Sequence, residues 1–306
     1  MQLAPVVLFA YKRKDKLQDC LQALDDNFEV GKTELYIFSD GAKNENDIKQ
    51  VQEVRNYIDV YKKVSNFKKV TVVLQPTNKG LANSIISGVT KVVCEFDKVI
   101  VVEDDLIVAK DFLLYMNQAL DYYQEYKEYG SISGYTYPLP ELKSYDRDVY
   151  VTKKGECWGW GTWKDRWMNV DWQVKDFEIY LQDKKKRRDF DKLQHGIDKM
   201  LIMQMRGKID SWAVRWCYHL FVNNLLTVYP KESRTKNIGF DGSGTHCTDT
   251  DIYETELKNN CLNCKFERLG VNNDLARSVA RFEDRSIIDI VRNKIRTILE
   301  WTILAM

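Results

Sequence analysis

The stretch from Lys98 to Asp111, KVIVVEDDLIVAKD, constrains this chain more than any other. Val99, Ile100, Val101 and Val102 form a β-branched run, the pattern of a strand buried on both faces of a parallel sheet. The run ends in three acids, Glu103, Asp104 and Asp105. Such a strand emerges where open α/β folds bind ligands, in the crevice at the carboxyl ends of the strands. Three adjacent carboxylates repel one another, and a cation bound by one or two of them relieves the repulsion. Hard oxygen ligands of this kind suit Mg²⁺ or Mn²⁺, which keep several waters and take up substrate phosphates. The sharp reading is a metal-diphosphate site; the plain one is a solvated turn after a strand.

The residues upstream favour the sharp reading. Pro5 to Ala10 is a buried strand, followed by the basic turn Tyr11-Lys12-Arg13-Lys14 and a helix with Leu17, Cys20, Leu21 and Leu24 at helical spacing. A second strand, Glu34 to Phe38, runs through Ser39-Asp40-Gly41 into a longer helix marked by Ile48, Val51, Val54, Ile58 and Tyr61. A third, Val70 to Gln75, passes through Pro76-Thr77-Asn78-Lys79-Gly80 into a helix carrying Leu81, Ile85, Ile86, Val89 and Val93. Strands alternating with helices through polar turns specify an α/β fold with a Rossmann-like, mostly parallel sheet flanked by helices and joined by right-handed crossovers. The turns offer Arg13, Asp40 and Lys79 toward the edge that carries the acids. There an arginine or aspartate can recognise a base or ribose by hydrogen bonds, although each alone is as readily a surface charge.

Several function classes drop out. The first turn has no G-x-G-x-x-G, which demotes a dehydrogenase, and a Walker lysine loop is absent. So is the glycine-rich, arginine-containing opening of a sugar nucleotidyltransferase. With 46 basic and 45 acidic residues there is no overall field to attract nucleic acid, which is not an expected partner. Seven cysteines, odd in number and scattered, read as reduced thiols of a cytoplasmic protein. Cys261 and Cys264 make one C-x-x-C that, with His246 and Cys247, sketches a zinc site on weak evidence. No apolar run approaches a membrane-spanning length, and no basic region precedes the apolar start, so neither a signal peptide nor a front anchor is expected.

Beyond the acids, Phe112 to Tyr129 reads as a helix whose tyrosines pack with their hydroxyls toward water. Ser131 to Gly134 is a short strand and Tyr135 to Arg147 a loop. In Glu156 to Trp163, ECWGWGTW, indole faces suit the C–H faces of sugar rings and the glycines allow close approach. Trp158, Trp160 and Gly161, joined by Trp212, are expected to line a sugar-binding wall, with a core aromatic cluster as the alternative. Lys184 to Arg188 is the solvated face of a helix continuing through Leu193, Ile197, Leu201 and Met205. Asp210 is placed to cap the next helix, through Val214, Cys217, Tyr218 and Phe221. Leu225 to Tyr229 is a strand. After it, Gly239, Gly242 and Gly244 around Arg234, Ser243, Thr245 and His246 form either a surface loop or one that closes over phosphates.

The segment VIVVEDDLIVAKDFLLYM resembles the metal-binding stretch of the animal N-acetylglucosaminyltransferase I family, inverting glycosyltransferases of the GT-A fold. VVLFAYKRKDKLQDCLQAL, FSDG, GWGTW, IDSWAVRW and YPKESRTKNIGFDGSGTH occur in that family's order, covering most of Val6 to His246. The chain also looks like bacterial sugar transferases of surface-polysaccharide clusters. The resemblance implies that Asp105 holds Mn²⁺ (or Mg²⁺), with Glu103 and Asp104 near the donor sugar and ribose. It implies that Arg13 and Asp40 contact the nucleotide, that the region of Ser243 to His246 touches the diphosphate, and that Asp210 is the catalytic base. That family has D-D-W where this chain has Asp210-Ser211-Trp212, so the register of the base is open by one residue.

The expected organisation is a catalytic domain over residues 1–250, with a nucleotide-binding half (1–110) and an acceptor-side half (111–250), an extension over 251–283, and an amphipathic helix over 284–306. That helix sets Ile287, Ile288, Val291, Ile295, Ile298 and Leu299 on one face beside Arg285, Arg292, Lys294 and Arg296. It reads equally as a helix lying in a membrane interface or as one docked on the core or on a second subunit of a homodimer. In the first case the acceptor is a lipid-linked saccharide at the inner membrane face. The function expected is transfer of a sugar from a nucleotide-sugar donor, by analogy a UDP-sugar, to a saccharide hydroxyl; the alternatives are a nucleotidyltransferase and a non-catalytic saccharide-binding scaffold.

Overall fold

The computed structural model describes residues 2–240, 251–258 and 264–282. The first half runs β1 (Val6–Ala10), α1 (Lys14–Asp25), β2 (Glu34–Ser39), α2 (Glu45–Val64), β3 (Lys69–Leu74), α3 (Leu81–Phe96) and β4 (Lys98–Glu103). The four strands pair in parallel in the order β3-β2-β1-β4. Their apolar runs divide between two cores by the period of two of a strand. Val6, Leu8, Ala10, Ile100 and Val102 face α1 and α2, while Val7, Phe9, Val99 and Val101 face α3. A strand in the middle of three layers has no solvent face, which is why these segments are continuously apolar.

The second half adds β5 (Leu106–Val108), α4 (Phe112–Tyr123), β6 (Tyr129–Ser133), β7 (Val149–Thr152), β8 (Trp160–Trp163), α5 (Lys164–Trp167), α6 (Phe177–Gln182), α7 (Lys184–Asp191), α8 (Ile197–Met205), α9 (Trp212–Val222), β9 (Leu226–Pro230) and β10 (Thr235–Asn237). The eight-stranded sheet has the order β3-β2-β1-β4-β8-β6-β9-β7, in which β8 and β7 run against the other six. A mostly parallel sheet flanked by helices is the α/β architecture expected. Strands β5 and β10 pair antiparallel in a separate ribbon.

Several expectations need correcting. The tryptophan-glycine segment is a central strand: β8 crosses between β4 and β6, and a Cβ at Gly161 would lie 3.0 Å from both Met116 Cε and the Val99 carbonyl oxygen. Gly161 therefore lets α4 pack onto the sheet. The helix after the acids ends at Tyr123, and of its tyrosines only Tyr122 is exposed. Tyr123 and Tyr129 are fully buried and donate hydroxyl hydrogen bonds to the carbonyls of Glu267 and Leu269, so the carboxyl-terminal extension covers them. The single helix expected from Lys184 to Met205 is two, because Gly196 adopts φ +80° ahead of α8. Residues 273–282 are helical, with the Asn272 side chain accepting from Asp274 and Leu275 N–H and with Leu275 and Val279 docked against Tyr135 and Tyr137. The expected helix over 284–306, and Cys261 with its sketched zinc site, lie outside the described residues.

Candidate active site

Because β1 to β4 are parallel, their carboxyl ends open onto one rim. At β1, Lys12 Nζ binds Asp47 of α2 at 2.7 Å, and Arg13 turns the other way. One Arg13 terminal nitrogen donates to Asp104 at 2.5 Å and to Asp105 at 2.9 Å. The Tyr11 backbone N–H points at Asp104 Oδ2, 3.4 Å away. Burial, reinforced by Asp105 and Asp104, pushes the Glu103 carboxyl up to about 8. Burial also raises Asp104 to about 6, against the opposing pull of Arg13. The triplet thus holds more negative charge than one guanidinium relieves.

The neighbouring loops are stitched together. The Asp40 carboxylate accepts the backbone N–H groups of Gly41 at 2.9 Å and Lys79 at 2.9 Å. Arg55, a residue without a sequence signal, reaches from α2 to the carbonyls of Asp40 at 3.1 Å and Gln75 at 2.6 Å. A Cβ at Gly41 would fall 2.5 Å from the Thr77 carbonyl carbon, so only glycine lets the two loops touch. Asp40 thereby shapes the rim, and Lys79 stands exposed on it.

Asp210 reaches this rim from the distant half of the chain. Ser211, not Asp210, caps α9, its hydroxyl accepting from Val214 N–H. The Asp210 carboxylate instead lies over the start of α3, 3.4 Å from the Ala82 N–H. Gly80, at φ +77°, makes room for it, since a Cβ there would sit 2.8 Å from Asp210 Oδ2. A helix N-terminus is a favourable place for a carboxylate.

The segment after β9 returns to the acids. The β5–β10 ribbon starts beside the triplet, with Ile238 N–H donating to the Asp105 carbonyl at 2.8 Å. A Cβ on Gly239 would overlap the Asp105 carboxylate. Ser243 and His246 follow but lie outside the described residues. Arg234 is not at the phosphate side: it is 2% exposed and pairs with the fully buried Asp111 at 3.3 Å.

The aromatic wall also needs revision. Trp160 and Trp212 are 0% and 2% exposed and stack at 5.0 Å within a core cluster with Trp167 and Trp216. With Gly161 packed under α4, three of the four expected wall residues are core packing residues. Trp158 alone of these is partly open, packed edge-on against Tyr135, Phe240 and Tyr253.

Among the described residues no three carboxylate, imidazole or thiol groups converge on one point. The donor set nevertheless fits Mn²⁺ or Mg²⁺, which need only one or two carboxylates when phosphate oxygens and waters complete the shell. The crowded charge of the triplet is the observation that agrees with a cation there. A cavity of about 320 Å³ lined by Lys127, Asp165, Arg166, Asn169, His219, Asn223 and Leu225 lies at the opposite end of the strands.

A sequence profile of the family described as Glycosyl transferase family 2 matches residues 6–206. No curated protein matches the chain. Among solved structures, S. aureus TarS 1-349 is similar with a TM-score of 0.48 and 12% identity, over 78% of this chain and 60% of that one. TarS 1-349 in complex with UDP-GlcNAc gives 0.39 and 14%, over 58% and 48%. The mannosyltransferase PcManGT from Pyrobaculum calidifontis, in complex with GDP-Man and Mn²⁺, gives 0.40 and 11%, over 72% and 68%. The chain thus spans less than two thirds of the TarS chains it matches. Likenesses this faint add nothing to the profile match, and the narrower resemblance to the N-acetylglucosaminyltransferase I family rests on motifs alone.

Proposed function

This chain belongs to glycosyl transferase family 2, and we propose that it moves a sugar from a UDP-sugar to a hydroxyl of a saccharide acceptor, with inversion. The observation that carries this reading is that one rim of a parallel sheet bears both an acid triplet, at the end of β4, and, over the start of α3, a separate carboxylate, Asp210, from the distant half of the chain. In this reading Asp105 holds Mn²⁺ or Mg²⁺, which when bound neutralises charge on the departing nucleoside diphosphate. Arg13 and Asp40 hydrogen-bond the nucleotide, Lys79 adds a cation at the rim, and Glu103 and Asp104 face the donor sugar and ribose. Ser243 and His246 act on the diphosphate from the segment after Gly239. Asp210 takes the proton of the acceptor hydroxyl as that oxygen attacks the anomeric carbon and the bond to the diphosphate breaks. General-base removal of this kind is worth about 10²–10⁴-fold in rate. The partly open indole of Trp158 offers a stacking face to a sugar.

The setting proposed is bacterial surface polysaccharide or glycan synthesis on a lipid-linked acceptor at the inner membrane face, with the basic, amphipathic sequence of 284–306 as the contact. Among the described residues no helix is long and apolar enough to cross a membrane. The test is a thermal-shift series with UDP, UDP-sugars and nucleoside triphosphates, each with and without Mn²⁺. Stabilisation by UDP that requires the metal is expected. Stabilisation by a triphosphate alone would overturn the reading in favour of nucleotidyl transfer. The expected result for Asp210→Asn is donor and metal binding near wild type with transfer lowered at least about 10²-fold.

A further inference from the structure

Metal and nucleotide make opposite demands on Arg13. Its guanidinium bridges Asp104 and Asp105 at 2.5 and 2.9 Å, so it is the counter-ion with which a divalent cation at Asp105 would compete. It does so as the first residue before α1, beside Lys12, which is committed to Asp47 at 2.7 Å. The Arg13 side chain keeps 23% of its surface exposed and faces the rim on which the nucleotide would lie. Its planar fork satisfies carboxylates or phosphate oxygens alike. A single side chain thus serves as counter-ion to the triplet and as a donor to an arriving diphosphate or base.

We propose that Arg13 is a built-in stand-in for the metal: it neutralises Asp104 and Asp105 until the nucleotide draws it away and the cation takes over that role at Asp105. This rests on the metal-dependent reading above. Metal and nucleotide then bind cooperatively by linkage: the nucleotide removes the metal's competitor, and the metal releases Arg13 from the acids for the nucleotide. Bare Mn²⁺ binds weakly because it must displace a hydrogen-bonded guanidinium, and the acids do not scavenge metal without donor.

The experiment is a titration of full-length protein with Mn²⁺ alone and in the presence of UDP, read from the paramagnetic signal of free Mn²⁺. It compares wild type, Arg13→Gln, Arg13→Lys and Asp105→Asn. Wild type is expected to bind Mn²⁺ tighter with UDP present. Arg13→Gln is expected to bind Mn²⁺ alone about tenfold tighter than wild type, the scale of an ordinary coupling between sites, and to show a UDP effect smaller by about the same factor, the direct contribution of the phosphate oxygens remaining. Arg13→Lys, which keeps the charge, should stay close to wild type for Mn²⁺ alone. A melting curve gives a second reading: Arg13→Gln without ligand should melt lower than wild type and recover on adding Mn²⁺. Unchanged or weaker Mn²⁺ binding by Arg13→Gln, with Asp105→Asn abolishing binding, overturns the stand-in while sparing the metal site. No binding by wild type or Arg13→Gln, with or without UDP, overturns both.

Discussion

Adding one methyl group at Gly239 tests the coupling between the returning ribbon and the acids. In the structure a Cβ at this position overlaps Asp105 Oδ2 and comes within 3.0 Å of Asp105 Cγ and 3.1 Å of Asn237 Oδ1. The backbone at Gly239 is outside the left-handed region, so the effect is steric rather than conformational. The nearest atoms belong to a side chain that can move, and the expected response is rotation of the Asp105 carboxylate off its rotamer, costing about 0.5–1.5 kcal/mol. At about 2–4 °C per kcal/mol the melting temperature should fall only a few degrees. Function should suffer far more, since a displacement of about 1 Å at a reacting centre costs about 10²-fold. Gly239→Ala should therefore weaken the Mn²⁺-dependent stabilisation by UDP and lower transfer sharply while the fold survives. Gly161→Ala is the control, because its new Cβ meets Met116 and the Val99 carbonyl, away from the rim. It should lower the melting temperature and keep the ligand response. Wild-type Mn²⁺ and UDP responses in Gly239→Ala would refute the idea that this contact positions Asp105.

Other changes follow from buried groups. Arg234→Met removes the guanidinium that lies 3.3 Å from the fully buried Asp111 carboxylate, and should cost about 3–5 kcal/mol in urea unfolding. His219 stacks on Trp216 and is held by burial at about 4, below the ordinary histidine value. Its unfolded form therefore takes up a proton first. Stability should fall as pH drops through the window from about 6.5 to 4, by about 3 kcal/mol at its limit, and should be unaffected by this group above it. His219→Gln should flatten that part of the pH–stability curve; an unchanged slope would assign it to other groups. Gly196→Ala meets no atom within 4 Å but forces φ +80° on a residue with a Cβ, so it should cost about 1–2 kcal/mol with transfer unaffected.

The sequence by itself determined the half of the molecule whose signals are local. Continuous β-branched runs between helical periodicities can be satisfied only by strands in the middle layer of a three-layer sheet, and each boundary came within a residue or two. The acids at the end of β4 and the basic turn after β1 were legible for the same reason, since a parallel sheet sends every such turn to one rim. The tertiary structure decided what depends on neighbours remote in the chain. Whether a tryptophan lines a cleft or fills a core is a matter of what packs on its other face: Trp160 is covered by Trp167, Trp212 and Trp216, and Tyr123 and Tyr129 by the segment at Glu267 to Leu269. By its residues alone Asp210 reads as a helix cap until α3 is seen beneath it, Arg234 and Gly239 read as parts of one loop until Asp111 is found opposite the first and Asp105 beside the second, and Arg55 has no signal at all. Periodicity reports which face of an element is apolar, whereas a site is a coincidence of ends, and only closure of the sheet brings those ends together.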